Sequence, residues 1–405
     1  MMDTTKAEWI SGLYSDRANR AGDGMVALDP KWVNNVIALG GGFPDPQSLP
    51  IQDILESTRI ALERDGEWAL QYAPGSGIPE LVDELAKKLA RDQGIIAGRE
   101  NILITSGGSQ ALGLIWELLI NPGDVLLTES PFFLGAVQRC REFAADVREI
   151  PLDGQGIVIE ELERTLEQLQ AEGKQPKFLY LVPNFQNPTG ITYTRERREA
   201  IIRLAQRHRF LILEDDAYHD LRFDGAKVPT FYELDDEGLV LYVGTFSKII
   251  GAGIRVGWIV GSAPLIARLS GLKYDFGTNV FASHVVAEFT RSGTLAEHIV
   301  QLKGIYRDRR DVMLAALEET MPPGTSWTHP EGGFFIWLTL PEGATCGPVV
   351  QQARERGVGV GMGSMFYVDG GGQDKIRLSY SFNTDEQIQK GIGILAEVVT
   401  EQAGG

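Results

Sequence analysis

One lysine of the sequence directly follows a predicted buried strand. Lys248 ends the segment T-F-S-K, which comes after the apolar run Val240–Gly244, and Arg255 lies seven residues further on. An amine in such a place can act as a nucleophile that forms a Schiff base. The hydroxyl groups of Thr245 and Ser247 and the guanidinium of Arg255 are suited to binding a phosphate. A glycine-rich loop with a solvated lysine is the alternative.

Acidic residues follow another predicted strand. Asp215 stands between Glu214 and Asp216 after the apolar residues 210–213. A carboxylate at the C-terminal end of a parallel strand lies where α/β sheets place ligands. Solvation of one of these acids, or binding of Mg²⁺, is the alternative, although the sequence offers no matching acidic partner elsewhere. The segment N-F-Q-N-P-T-G at 184–190, after the strand Phe178–Val182, is by itself typical of a turn.

Two further elements are suited to anions. The segment S-G-G-S-Q at 106–110 joins a strand to a helix, and its small residues allow backbone N–H groups to approach an anion. Helix capping explains the same residues equally well. Arg377 stands inside the apolar strand Ile376–Tyr380, where an unpaired charge is costly. A substrate carboxylate would pair with its guanidinium, and a structural salt bridge is the alternative.

Six nearly continuous apolar runs predict strands that are buried on both faces. These runs are Ile102–Thr105, Val125–Thr128, Phe178–Val182, Phe210–Glu214, Val240–Gly244 and Val256–Gly261. Helical patterns lie between several of them, so we expect an α/β fold with a mostly parallel sheet flanked by helices. After residue 290, a long helix, two strands and two further helices predict a smaller α+β domain. We expect an N-terminal segment at 1–45 that packs on the small domain, a large domain at 46–290 and the small domain at 291–405.

Composition excludes several classes of protein. The 405-residue chain has 38 Lys and Arg against 55 Asp and Glu, and the resulting net charge of −17 argues against nucleic-acid and anionic-membrane partners. Two isolated cysteines indicate a reducing cytosol. No apolar run approaches the roughly 20 residues of a membrane span, no signal-peptide pattern is visible, and the histidines lack zinc-ligand spacing. We therefore expect a cytoplasmic protein without a metal.

In combination, these motifs resemble those of the pyridoxal-phosphate enzymes of fold type I, aminotransferase class I/II. The resemblance covers about residue 40 to the end of the chain and rests on N-P-T-G at Asn187–Gly190, D-x-A-Y at Asp215–Tyr218 and S-K-x6-R at Ser247–Arg255. The segments G-G-F-P at Gly41–Pro44 and Q-Y-x-P-x-x-G at Gln71–Gly77 are similar to the subgroup of 2-aminoadipate and aromatic or branched-chain aminotransferases. The resemblance implies a seven-stranded type of sheet in the large domain.

The resemblance also implies roles for individual residues around pyridoxal 5'-phosphate. Lys248 would hold the cofactor as a Schiff base and shuttle the proton of the substrate Cα. Asp215 would keep the pyridine nitrogen protonated, and Asn187 and Tyr218 would bond the ring's phenolate oxygen. The residues expected to hold the phosphate or to stack on the ring are Gly108, Ser109, Gln110, Phe133, Thr245, Ser247 and Arg255.

The same resemblance implies which residues bind the substrate and which residue reaches the neighbouring subunit. Arg377 would bind the substrate α-carboxylate, with Asn187 and the backbone at Gly42 assisting. Tyr72 would reach the phosphate of a neighbouring subunit, which implies a homodimer with shared active sites. Residues 10–35 do not match the short N-terminal helix that covers the side-chain pocket in these relatives, so the sequence does not name the amino acid.

The implied activity is transfer of the α-amino group of an L-amino acid to a 2-oxo acid. An enzyme of the same fold that eliminates, replaces or cyclises at Cβ or Cγ remains an alternative, because such reactions use the same carbanion. A non-catalytic binding module on this fold is a further alternative. The resemblance also implies cis peptide bonds before Pro131 and Pro188.

Overall fold

The computed structural model describes residues 9–21 and 36–404. Strands are numbered along the chain, and β1 (Ile37–Ala38) belongs to a small two-stranded sheet. The main sheet contains β2 (Ile102–Thr105), β3 (Val125–Ser130), β4 (Asp146–Asp153), β5 (Gly156–Ile157), β6 (Pro176–Leu181), β7 (Leu211–Asp215), β8 (Val240–Thr245) and β9 (Gly257–Val260). Their order across the sheet is β2-β9-β8-β7-β6-β3-β4-β5.

The main sheet is mostly parallel, as predicted. Neighbouring strands from β8 through β7, β6 and β3 to β4 run parallel, whereas β9 is antiparallel to both β2 and β8. The seven longer strands match the expected type of sheet, and the two-residue β5 is added as a hairpin at the edge. The parallel strand ends therefore face one side of the sheet, where α/β folds bind ligands.

The six strands predicted from apolar runs are confirmed, with bounds that differ by at most two residues. Strand β6 shows why the runs are continuous, because Phe178 and Tyr180 pack into one core while Leu179 and Leu181 pack into another on the opposite face. Strand β4 was not predicted. It lies next to the edge, and Ile150 is its one fully buried residue, so its sequence lacks the apolar signal.

Helices cover both faces of the main sheet and complete the rest of the chain. Those before residue 210 are Asp16–Ala21, Ile51–Asp65, Pro79–Gln93, Gly108–Leu119, Leu134–Phe143, Ile159–Ala171 and Arg195–His208. Those after it are Phe231–Leu234, Ala263–Leu272, Val280–Arg291, Thr294–Thr320, Cys346–Glu355 and Asp385–Ala403. Within residues 9–21 and 36–404, no helix is both long and apolar enough to cross a membrane.

The C-terminal part of the chain builds a second, antiparallel sheet. Its strands are β10 (Ser326–Trp327), β11 (Phe335–Thr339), β13 (Gly361–Met362) and β14 (Lys375–Ser379), in the order β10-β11-β14-β13, while β12 (Val358–Gly359) pairs with β1. Strand β14 pairs along its whole length with β11, which fixes Arg377 opposite Trp337. This sheet therefore positions the arginine that the sequence predicts to bind a carboxylate.

The described parts of the N-terminal segment contact two different regions. Ile37 pairs with Val358 in the small two-stranded sheet. Arg17 donates a hydrogen bond to Glu142 at 2.7 Å and lies over the ring of Phe143, so the helix Asp16–Ala21 packs on the part predicted as the large domain. Residues 22–35, for which the sequence predicts no covering helix, lie outside the described residues. The division at residues 46 and 291 stays a prediction.

Candidate active site

One cavity, of about 170 Å³, gathers most of the residues that the sequence singles out. It opens at the carboxyl ends of β6, β7 and β8, beside the turn after β2. The predicted residues that line it are Gly108, Ser109, Phe133, Asn187, Asp215, Tyr218, Thr245, Ser247, Lys248 and Arg255. Four apolar residues complete the wall without having been predicted: Leu112, Val182, Ala217 and Ala252.

Hydrogen-bond donors are concentrated at one end of this cavity. The helix Gly108–Leu119 begins there, so its first backbone N–H groups and the positive end of its dipole face the cavity. Thr245 donates to Ser247 at 2.9 Å, which keeps the two hydroxyl groups together at the end of β8. Arg255 adds a guanidinium to the same end. A dianionic phosphate fits this set of donors.

Arg255 is held by the loop that it faces. Its Nη2 donates to the carbonyl oxygen of Ser106 at 2.9 Å. Gly107 between them has a φ of +73°, and a Cβ at that position would lie 2.7 Å from Nη2 of Arg255. Only glycine therefore allows the guanidinium to lie this close to the start of the helix.

A buried carboxylate also lines the cavity. Asp215 ends β7 and accepts a hydrogen bond from the phenol of Tyr180 at 2.9 Å. Burial raises the pKa of Asp215 to about 6, while the bond from Tyr180 and the charge of Lys248 act in the opposite direction. Such a carboxylate suits a cationic group, such as a protonated ring nitrogen, placed next to it.

Lys248 lines the same cavity. Its Nζ donates to the carbonyl oxygen of Gly42 at 3.0 Å and lies 5.8 Å from the ring centres of both Tyr218 and Phe334. Burial, and then the charge of Arg377, lower the pKa of the Lys248 amine to about 8. A substantial fraction of the amine is therefore neutral near physiological pH, as a nucleophile or a base requires.

Arg377 projects from β14 toward the same region. Its Nη1 donates to Oδ1 of Asn187 at 2.8 Å, and its Nη2 donates to the carbonyl oxygen of Gly40. The guanidinium carbon lies 4.4 Å and 4.7 Å from the ring centres of Phe335 and Phe366. Among the described residues no carboxylate pairs with Arg377, and its buried Nε has no hydrogen-bond partner. The alternative of a structural salt bridge therefore finds no support here, and an anion from outside fits the open donors.

Tyr218 contacts both aromatic and polar side chains of the site. Its ring packs edge-on against Phe334 and Phe335, with centres 5.4 Å and 5.7 Å away. Burial raises the pKa of its phenol, which a hydrogen bond with Asn187 partly offsets. Tyr218 is therefore a neutral donor that stays protonated near neutral pH.

A glycine stretch closes the side of the site nearest the small sheet. The carbonyl groups of Gly40 and Gly42 accept from Arg377 and Lys248. A Cβ at Gly40 would lie 2.7 Å from the backbone of Val360, and one at Gly42 would lie 2.7 Å from the Phe335 ring. The close packing of this stretch thus holds both cationic side chains in place.

Besides Arg377 and Gly42, which are described above, two predicted site residues do not line the cavity. The side chain of Gln110 accepts from the backbone N–H of Ser106 at 2.6 Å, so it closes its own loop. Tyr72 is 81% exposed on the surface and packs edge-on against Phe276. The expected cis peptide bonds before Pro131 and Pro188 are both present.

Comparison with known proteins decides the family. A family model described as aminotransferase class I and II matches residues 34–395. The chain belongs to this family. The chain spans most of the length of the aminotransferases that it matches, so the family activity applies to the whole chain.

Similar proteins share the fold along their full length. Aromatic-amino-acid aminotransferase 1 of Thermococcus litoralis is 38% identical over 371 residues, which are 91% of this chain and 89% of that protein. The 2-aminoadipate transaminase of Thermus thermophilus is 31% identical, with 88% of both chains covered. The crystal structure of the Pyrococcus horikoshii kynurenine aminotransferase has a TM-score of 0.92 and 38% identity, and it covers 97% of this chain and 98% of that one.

These relationships establish the activity and the cofactor. The chain is a fold type I aminotransferase that depends on pyridoxal 5'-phosphate, as the sequence predicted. An elimination, replacement or cyclisation activity is not favoured, because the relatives are aminotransferases. The cavity fits the cofactor, since the donors suited to its phosphate, the amine of Lys248 and the carboxylate of Asp215 all line one space.

Proposed function

We propose that Lys248, Asp215 and Arg377 are the three charged residues that carry out the transamination. The observation that carries this proposal is the half-buried Arg377, whose guanidinium is bonded to Asn187 and lacks an acidic partner among the described residues. When bound, pyridoxal phosphate supplies a conjugated ring that delocalises the electrons released at the substrate Cα. The amine of Lys248 first binds the cofactor and, once released, moves the proton at Cα.

The remaining residues orient the reactants. Arg377 would bind the α-carboxylate of the substrate through its planar guanidinium, with the Asn187 side chain and the backbone at Gly42 assisting. Binding of the carboxylate in this way would direct the Cα–H bond toward Lys248, so that proton removal is favoured over loss of the carboxylate. Asp215 would bind the ring nitrogen, Tyr218 and Asn187 would bond the phenolate oxygen, and Phe133 would stack on the ring.

The phosphate group would be held by six groups of this chain. Five of them line the cavity, and Gly108 among these five would contribute its backbone N–H. The full proposed set is Gly108, Ser109, Gln110, Thr245, Ser247 and Arg255. Because the Gln110 side chain is already bonded to Ser106, we propose that its contribution comes through the backbone at the start of the helix.

We further propose that the amino donor has an aromatic side chain. Lys248 and Arg255 are the cations among the described residues that line the cavity, and both have other roles. No further positive charge of this lining is left to pair with a side-chain carboxylate. Relatives named for aromatic amino acids and for kynurenine support the same class of substrate.

Substrate assays test this choice. With 2-oxoglutarate as acceptor, we expect kcat/KM for phenylalanine, tyrosine or kynurenine to exceed that for 2-aminoadipate at least about tenfold, because an unpaired buried carboxylate costs more than one factor of ten. Glutamate formation from each donor is the measurement. A preference for 2-aminoadipate would overturn the aromatic assignment but leave the proposed catalytic roles intact.

We propose that the enzyme is a homodimer with shared active sites. Large apolar side chains are exposed together around Tyr72, where Trp68, Leu70, Tyr274 and Phe276 are all more than two-thirds exposed. The ring centres of Tyr72 and Phe276 lie 6.3 Å apart, so exposed apolar residues from two separate segments of the chain meet there. Contiguous apolar surface of this kind is typical of an interface, and a second copy would bring its Tyr72 toward the phosphate.

Complementation between two inactive variants tests the shared site. The variants Tyr72→Ala and Lys248→Ala each damage every site of their own homodimers. Refolded as an equal mixture, they should regain about a quarter of wild-type activity, because half of the dimers contain one intact site. An Ile96→Ala variant, changed at a residue that is likewise exposed, should be fully active alone. A mixture that stays inactive, or a monomer in sedimentation, would contradict the shared site.

We also propose a cytoplasmic location and the division into domains at residues 46 and 291. The location is supported by Cys140 and Cys346, which are both buried thiols without a disulfide. The division is supported by the two separate sheets, which are the main one before residue 261 and the antiparallel one after residue 325.

A further inference from the structure

A buried tyrosine lies behind the carboxylate of the site. Tyr180 is on β6 and Asp215 ends the neighbouring strand β7, where Tyr180 pairs with Leu213. Asp215 is two residues beyond Leu213, so its side chain is on the same face of the sheet as that of Tyr180. The Tyr180 phenol donates to Oδ2 of Asp215 at 2.9 Å, and both residues are buried.

The phenol has little freedom to turn away from this carboxylate. The Tyr180 side chain is fully buried, and its ring packs edge-on against Trp116 and Phe132, with centres 5.6 Å and 6.3 Å away. Its phenolic pKa is raised well above its ordinary value by burial and then by the charge of Asp215, so the group remains a proton donor. A rigid aromatic donor therefore occupies one oxygen of the carboxylate and leaves the other for the cavity.

We propose that Tyr180 is a positioning residue that keeps the Asp215 carboxylate ionised and directed toward the ring nitrogen of the cofactor. This inference rests on the role proposed above for Asp215. A hydrogen bond from a neutral donor stabilises the charged form of a buried carboxylate, so it favours the proton on the ring nitrogen over the proton on Asp215. A protonated ring is the better acceptor for the electrons released at Cα.

Several other titratable groups act on Asp215. Asp216 raises its pKa and Lys248 lowers it. Tyr218 and Glu129 also interact with it, but burial raises the pKa of Tyr218 and raises that of Glu129 to about 8, so both are mostly neutral near pH 7. Burial and Asp216 oppose ionisation of Asp215, whereas the bond from Tyr180 and the charge of Lys248 both favour it.

The test is the protonation of the ring nitrogen in the holoenzyme. Holoenzyme is prepared with pyridoxal phosphate labelled with ¹⁵N in the ring, and the ¹⁵N chemical shift is followed against pH for wild type and Tyr180→Phe. Phenylalanine keeps the packing on Trp116 and Phe132 while it removes the donor. We expect the variant to lose the ring proton at a pH about one unit lower than wild type, and kcat to fall about tenfold with little change in KM.

Tyr193→Phe is the matched control. Tyr193 is also a buried tyrosine that donates to a buried carboxylate, that of Glu129, at 2.5 Å. Its removal should cost comparable stability, measured by thermal unfolding, without moving the ¹⁵N signal. An unchanged signal and kcat in Tyr180→Phe, with a protonated ring in wild type, would overturn the inference while leaving the proposed function standing. An unprotonated ring in wild type would instead overturn the role of Asp215, and the inference with it.

Discussion

Replacing Lys248 by alanine is expected to lower transamination by about four orders of magnitude, because the variant loses both the covalent attachment and the group that moves the Cα proton. The pKa of about 8 makes this amine effective near neutral pH, and no other lysine lines the described cavity. The purified variant should also lack the visible absorbance that arises when the cofactor is joined to a lysine. Single-turnover assays and absorbance spectra measure both effects.

A second lysine provides the control for this experiment. Lys375 is likewise half-buried, but its amine bonds to Thr339 on the small sheet, away from the cavity. Lys375→Ala should keep the absorbance and most of the activity. Added methylamine should restore part of the lost rate to Lys248→Ala, since a free amine can take up the proton. Substantial turnover by Lys248→Ala without any added amine would remove the proposed role of this residue.

Replacing Arg377 by leucine is expected to lower kcat/KM for an aromatic amino acid by about a thousandfold, since a two-pronged, charge-assisted contact to the carboxylate is lost. The loss should be specific for the carboxylate. Phenethylamine, which lacks this group, should react with wild type and Arg377→Leu at similar low rates, because it makes no contact with the guanidinium. Steady-state kinetics with phenylalanine and phenethylamine give the comparison.

Replacing Arg377 by lysine separates the effect of the positive charge from that of the planar guanidinium. Arg377→Lys keeps the positive charge but loses the planar pair of donors and the stacking between Phe335 and Phe366. We expect it to recover only a minor part of the loss seen with leucine. An equal fall in kcat/KM for phenylalanine and phenethylamine would mean that Arg377 supports the fold rather than the carboxylate.

Much of this architecture could be predicted because the main sheet is buried on both faces. Continuous apolar runs identify such strands, and polar residues directly after them stand out, as Lys248 does after β8 and Asp215 at the end of β7. The motif spacing then connected these separate positions to one cofactor. Glycines and hydroxyls around residue 107 predicted the part of the site that binds the phosphate, although the same pattern is found at the start of an ordinary helix.

Other features could not be predicted because their signals match those of an ordinary core. Tyr180 stands in the run F-L-Y-L-V, where an aromatic residue is expected for packing alone, and its contact with Asp215 depends on the register between β6 and β7. Phe366 contacts Arg377 from a short helical turn, Gly363–Phe366, whose position against the guanidinium depends on the fold of the intervening loop. Strand β4 was missed because it lies near the edge of the sheet and buries only Ile150 fully, so it needs no continuous apolar sequence.

The stretch from Gly40 to Gly42 has a consequence for how this protein can vary. It carries no reactive side chain, yet one short peptide is bonded to both Arg377 and Lys248, and its neighbours leave no space for a methyl group at either end. A shift of this peptide would therefore disturb both the binding of the substrate carboxylate by Arg377 and the proton transfer by Lys248. Evolution of new substrate preferences is therefore expected to spare these glycines and to act on the surrounding loops, which can change without coupling the two functions.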